Sequence, residues 1–169
     1  GGLHGRGDAG VAFVLHAELP VLAQPQVQAG VGDGVLQVRA VQAALAQVQG
    51  STVVAVDTEF MRRNTFYPQV ALVQLCFGDT ALLVDPLAIN ATAPLAALLA
   101  DPGVVKVLHS ASEDLEVFSR WLGVLPEPLF DTQRATALLN LGFGLGYSAL
   151  VKLVCDIDPK VPEACSGDP

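Results

Sequence analysis

The sequence predicts an α/β fold built around a mixed β-sheet. Three observations point there. Residues 53–56 form a run of small and β-branched apolar side chains that ends in acids, and residues 104–108 form a second apolar strand. Such runs belong to central strands buried on both faces. Three early strands are joined by short connections, as in an antiparallel meander. From residue 104 onward strands alternate with helices, which calls for parallel neighbours.

Residues 1–34 are rich in Gly, Ala, Val and Gln and are broken by Pro20, Pro25 and the glycines at 30, 32 and 34. They are expected to be a poorly defined N-terminal extension. Val38, Val41, Leu45 and Val48 fall on one helical face, and Gly50 is a stop signal, so 38–48 is expected to be helical. Strands are expected at 52–59, 70–77 and 80–84, with 60–68 as a polar and aromatic connection and Asp85-Pro86 closing the third. A short apolar helix covers 94–99, and a fourth strand 104–108. Ser110-Ala111-Ser112-Glu113 fits a capping box and puts Asp114 in the first turn of a helix. That helix carries Leu115, Phe118 and Leu122 on one face and stops at Gly123. A short fifth strand at 128–131 and helices at 132–139 and 148–154 follow. Residues 155–169 contain three prolines and are expected to be a coil tail. The predicted domain is therefore 35–154.

A chain of 169 residues suits one domain with a substantial core. Its formal net charge of −8 is the wrong sign for gripping nucleic acid through a basic surface. It leaves open contact with phosphates through metal ions held by carboxylates. Cys76, Cys155 and Cys165 are odd in number and widely spaced, which predicts a reducing, cytoplasmic setting. No stretch suggests a membrane span or a leader, and no obligate protein partner is evident.

Asp57 and Glu59 end the first apolar strand at i and i+2, on one face. Two acids aimed at one point repel unless a cation sits between them, and Mg²⁺ favours oxygen ligands. Equally, strand-end acids can simply meet water and a helix N-terminus. Asp114 lies just beyond the carboxyl end of the fourth strand, where α/β sheets bind ligands. If the first and fourth strands are parallel neighbours, three carboxylates meet there and suit two divalent ions attacking a phosphate ester. The alternative for Asp114 is a first-turn acid facing the helix dipole. Glu113 is expected to serve the capping box, His109 a structural role, Asp131 an N-cap and Asp85 a turn. Arg62 and Arg63 either face solvent or steer a phosphate backbone.

Several segments carry a resemblance in the same order. They are Val-Asp-Thr-Glu-Phe at 56–60, Thr65-Phe66-Tyr67-Pro68, Val73-Gln74-Leu75 and Val84-Asp85-Pro86-Leu87. The run from Leu108-His109-Ser110 through Glu113-Asp114-Leu115 to Phe118, and Leu129-Phe130-Asp131-Thr132-Gln133, complete the series. Together they resemble ribonuclease D, of the DEDD family of 3′-to-5′ exonucleases, over about residues 53–154. The resemblance implies an RNase H-like sheet and two-metal hydrolysis at RNA 3′ ends, of the tRNA-processing type, with Mg²⁺ or Mn²⁺ as cofactor. It implies Asp57, Glu59 and Asp114 as metal ligands, with Thr58, Phe60 and His109 beside the substrate. The family's third motif, Tyr-x-x-x-Asp, has no counterpart. Tyr147 is followed four residues later by Val151, and Asp156 and Asp158 stand in an expected coil. The exonuclease domain is thus expected to be truncated, to expose apolar sheet surface, and to be impaired in catalysis.

Two other functions fit the residues. One is a non-catalytic module of the same fold that binds nucleic acid or a partner. The other is a phosphohydrolase that uses Asp57 itself as nucleophile, since an apolar strand ending in D-x-[DE] also opens that class.

Overall fold

The computed structural model describes residues 42–46, 50–62, 66–78, 80–86 and 92–157. The expected extension at 1–34 and most of the tail at 155–169 lie outside the described residues. Five strands form one sheet in the order β3-β2-β1-β4-β5. They are β1 (Val53–Met61), β2 (Gln69–Phe77), β3 (Thr80–Val84), β4 (Val105–Leu108) and β5 (Leu129–Asp131). The helices are α1 (Ala93–Ala100), α2 (Ser112–Trp121), α3 (Thr132–Leu138) and α4 (Tyr147–Cys155). Residues 42–46 are also helical, which is the described part of the helix expected at 38–48.

β1, β2 and β3 form the antiparallel meander, and β4 and β5 pair in parallel. β1 and β4 are parallel neighbours, with Val53 opposite Val105 and Ala55 opposite Val107. β4, α2 and β5 make one crossover unit, the connection that parallel strands require.

Period-two alternation divides the sheet into two unlike faces. Val54, Val56, Val73, Leu75, Phe77, Leu82 and Val84 point to one face, where Leu95 and Leu99 of α1 and Phe118 of α2 cover them. This is the dry core. The other face carries Ala55, Asp57, Gln74, Cys76, Ala81 and Leu83, and Leu83 is 39% exposed. Leu115, Phe118 and Leu122 meet the core as their spacing predicts, and Gly123 ends α2 at φ +70°, where a side chain would be strained.

Three expectations need correction. β1 runs to Met61, so Phe60 belongs to the strand and not to the connection. The capping box does not form. Ala111 is the N-cap of α2 without a side-chain bond, and Ser110 sits at φ +58°, away from the extended cap geometry. Glu113 is free of that duty and pairs with Arg62 at 2.8 Å instead.

The third correction concerns the apolar strand at 104–108, which contains Lys106, fully buried. Its Nζ donates to the carbonyls of Asp101, Val104 and Glu127 at 2.6, 2.8 and 2.7 Å. All three ammonium donors are thereby satisfied, which is how a buried lysine is tolerated. The bonds tie the turn before β4 to the chain entering β5.

A second tie is made by Asp131, at the end of β5. Its carboxylate accepts from the N–H groups of Gln133 and Arg134, capping α3 as expected. It also accepts from Ser110 at 3.2 Å and Ala111 at 3.1 Å, in the turn that opens α2. Burial alone would raise this carboxyl. The four N–H bonds, from Ala111, Arg134, Ser110 and Gln133, outweigh burial and hold it below the usual range. One side chain therefore fixes the starts of two helices.

Replacing Lys106 by Met takes the ammonium donor from the Val104 and Glu127 carbonyls, while the Asp101 carbonyl keeps the Val104 N–H at 3.2 Å, and chemical denaturation should show a loss of about 2–4 kcal/mol. Asp131→Ala should cost about 2–3 kcal/mol at neutral pH. Because the folded pKa is depressed, that stability is present above the unfolded value near 3.8 and is lost as pH falls through the folded one. The difference between Asp131→Ala and the parent chain, followed by denaturation at several pH values, should therefore shrink below pH 3.8.

Candidate active site

The parallel register carries the ends of β1 and β4 to the same edge of the sheet. Asp57 and Glu59 stand on β1 there, on the face away from the core. Directly after Glu59 the pairing slips. Glu59 faces Leu72 but Phe60 faces Val70, so Ala71 is the extra residue on β2. Bulges of this kind kink a strand and re-aim the side chains beside them.

Thr58 lies between the two acids and points the other way, 6% exposed. Its hydroxyl donates to Oδ1 of Asp114 at 2.5 Å, across 56 residues of sequence. Asp114 is itself 7% exposed, in the first turn of α2. Burial raises the Asp114 carboxyl, and the Thr58 hydroxyl partly offsets that. The Thr58 hydroxyl, expected beside the substrate, is thus committed to Asp114. It acts on the site by fixing the acid.

Asp57 is exposed at residue level, yet its carboxyl is hemmed in by protein at the side of a cleft. Loss of solvent around the carboxyl raises it most, followed by the charges of Asp114 and Glu59, and its pKa reaches about 6. The Thr58 N–H opposes the shift without cancelling it. Gln74, paired with Asp57 across the hairpin, donates to Oδ2 at a long 3.4 Å. Asp57 therefore stands in the negative field of Asp114 and Glu59.

His109 directly follows β4 and lines the same cleft. The Thr132 hydroxyl donates to the Leu108 carbonyl at 3.2 Å, which leaves its oxygen to accept from Nδ1–H of His109 at 2.9 Å. This network assigns the neutral tautomer with a bare Nε2. Nε2 is buried without a hydrogen-bond partner. Burial lowers the imidazole pKa, against the charge of Asp131 and the Leu145 carbonyl, so the ring is neutral at pH 7. The Tyr147 ring meets it edge-on at 5.7 Å.

The cleft has a volume of about 410 Å³, between Asp57, Gln74, Leu83, His109 and Tyr147. Sequence reasoning gave Tyr147 and Gln74 no place in the site, although both line the cleft. Gln74 is recoverable from hairpin register, since it lies opposite Asp57. Tyr147 comes from a helix 90 residues downstream of Asp57, with no local signal. Phe60 stands beside the acids with the Arg62 guanidinium 5.7 Å from its ring centre.

The donor chemistry fits a hard divalent cation: carboxylate oxygens only, in surplus negative charge. The spacing is looser than a closed ligand cage. Among the described residues, no three His, Cys, Asp or Glu side chains stand close enough together to hold a metal ion. Asp114 also has one oxygen engaged by Thr58.

Comparison with known proteins bears on the fold and the family. A family model described as 3′-5′ exonuclease matches residues 34–167. Ribonuclease D of Pseudomonas paraeruginosa is 59% identical over 107 residues, which are 63% of this chain and 28% of that protein. Ribonuclease D of Xanthomonas oryzae is 52% identical over 101 residues, 60% of this chain and 28% of that protein. The chain thus spans less than a third of the length of these relatives. The crystal structure of Escherichia coli RNase D, described as an exoribonuclease involved in structured RNA processing, superposes with a TM-score of 0.71 at 38% identity. It covers 76% of this chain, which matches 34% of that one. The expected RNase H-like mixed sheet is the fold observed. The chain belongs to the 3′-5′ exonuclease family and is similar to ribonuclease D.

Proposed function

We propose that this chain carries the carboxylate part of a ribonuclease D-like active site, which removes nucleotides from RNA 3′ ends by two-metal hydrolysis. The observation that carries this is the placement of Asp57, Glu59 and Asp114 at the shared carboxyl end of β1 and β4, where the other two acids raise Asp57. Asp57, Glu59 and Asp114 would hold Mg²⁺ or Mn²⁺. When bound, such ions supply a nucleophilic water at neutral pH and offset charge building on the phosphate. Thr58 holds Asp114 in place, and Asp131 holds the turn from which α2 begins. The neutral His109 and the Phe60 ring flank the nucleotide. By similarity to an enzyme of structured RNA processing, the substrates are structured RNAs of the tRNA-precursor type. A cytoplasmic location fits this role. No helix among the described residues is long and apolar enough to cross a membrane.

Within these 169 residues neither tyrosine begins a Tyr-x-x-x-Asp motif, since Ala71 follows Tyr67 and Val151 follows Tyr147 at the fourth place. The looser carboxylate spacing and the missing motif favour weak catalysis by the chain alone. They also support the second possibility, a non-catalytic module of the same fold.

The deciding assay follows 3′-labelled and 5′-labelled RNA with Mn²⁺. Shortening from the 3′ end, at least a hundredfold slower after Asp57→Ala, is the expected result. Internal cutting, or undiminished activity in chelator, overturns the proposal. A phosphorylated Asp57 would instead identify the phosphohydrolase alternative.

Thermal unfolding gives an independent check. Because the folded pKa of Asp57 is raised, its favourable contribution is present below 3.8 and is lost as pH rises through about 6. In chelator at pH 7.5, Asp57→Asn should therefore stabilise the chain, by about 1 kcal/mol after discounting for the exposure of the group. Added Mn²⁺ should raise the melting temperature of the parent chain and leave that of Asp57→Asn nearly unchanged.

A further inference from the structure

A groove of about 690 Å³ lies beside the β1–β2 hairpin, between Met61, Phe66, Tyr67, Val117, Arg120 and Trp121. The chain has few aromatic residues, seven Phe, two Tyr and one Trp. Three of them line this groove, and a fourth, Phe60, precedes Met61 on β1. Phe66 is 87% exposed, so its ring adds almost nothing to the core. It stands edge-on to Tyr67 at 4.9 Å and 85°. On the same ring of Tyr67 the Arg120 guanidinium lies 3.1 Å from the centre. Glu116 holds that guanidinium at 3.4 Å. Orthogonal rings with a flat cation beside them form a surface on which other flat rings stack. Met61, at the edge of the groove, follows Glu59 by two residues on β1, and Arg62 next to it pairs with Glu113, the neighbour of Asp114.

We propose that this groove is a stacking subsite for the bases of single-stranded RNA that lie upstream of the 3′-terminal nucleotide. The inference rests on the proposed exonuclease function and adds to it how the RNA is held. Charge decides the mode of binding. The chain carries a net charge of −8, and Arg62 and Arg120 already pair with Glu113 and Glu116. Phosphate attraction is therefore weak, and the attachment comes from stacking, which contributes about 1–3 kcal/mol per base and tolerates any sequence.

Trp121 is the single tryptophan of the chain and reports on the groove directly. The full chain is titrated in chelator, where the RNA stays intact, with a single-stranded oligoadenylate of about six nucleotides. Quenching of Trp121 emission, with about tenfold weaker binding after Phe66→Ala, is the expected result. Phe66 is so exposed that its loss leaves the fold intact, and circular dichroism checks this. No change in emission, or equal affinity in Phe66→Ala, overturns the subsite. So does emission that responds to an apolar peptide and not to oligoadenylate, which marks the groove as a protein-docking surface. Shortening that depends on Asp57, found alongside any of those results, leaves the exonuclease function standing. Quenching without shortening supports the subsite while the catalytic proposal fails.

Discussion

The site depends first on the parallel pairing of β1 with β4. An antiparallel neighbour would carry the end of β4 to the opposite edge of the sheet, and α2 with it. Parallel pairing with Ala55 opposite Val107 instead leaves Asp57 two residues beyond the last pair on one strand. His109 and the turn into α2 leave the other strand at the same edge. Asp114 then needs only one helical turn to come under Asp57, and the Thr58 hydroxyl fixes it there. The covered face of the sheet makes this pairing stable, since Val54, Val56 and Leu108 belong to a single core with α1 and α2.

Two aspartates at the ends of parallel strands show how differently one fold treats the same side chain. Asp131 receives four backbone N–H groups, and its acidity is strengthened although it is buried. Asp57 receives one backbone N–H and a long bond from Gln74, faces two other acids, and its pKa climbs to about 6. The first is a satisfied structural group. The second is left electrostatically unbalanced, a condition that a fold sustains at functional sites when something else supplies the missing charge. The stability gained at Asp131 is what holds the turn before Asp114 while Asp57 remains strained.

Where the sequence was informative, the informative feature was local. Buried strands require apolar runs, so β1, β2 and β3 were legible nearly to the residue, and α2 showed its core face by spacing. Asp131 was half legible: its bonds to Gln133 and Arg134 are two and three residues away, whereas those to Ser110 and Ala111 reach back 21 and 20. The capping-box pattern at Ser110 misled for the same reason. Ser110 stands at positive φ with its N–H on Asp131 of the neighbouring strand, away from the geometry that the local motif needs. Lys106 shows the limit from the other side, since its three carbonyl partners gather only when β4 lies against the approach to β5. The metal-ligand roles of Asp57, Glu59 and Asp114 were suggested by strand-end acids and the resemblance, and the structure adds the Thr58 contact that neither contained.

The two faces of the sheet divide the work of the molecule. Burial on the α1–α2 face supplies most of the apolar packing, and Ala55, Val107, Leu150 and Val151 are buried outside that cluster. The second face carries Ala55, Cys76, Ala81 and Leu83 beside Asp57, with Tyr147 and His109 at one side. Apolar walls keep water from screening the charges at one end, and the same low polarity raises the Asp57 pKa. A cation entering the cleft would therefore interact with the acids more strongly than in bulk water. In the proposed function, a phosphate accompanying that cation would lie beside neutral His109, which adds no competing charge. An overall acidic chain can in this way meet a polyanion at one place while repelling it elsewhere, which confines contact to the strand ends where the acids and the exposed rings stand.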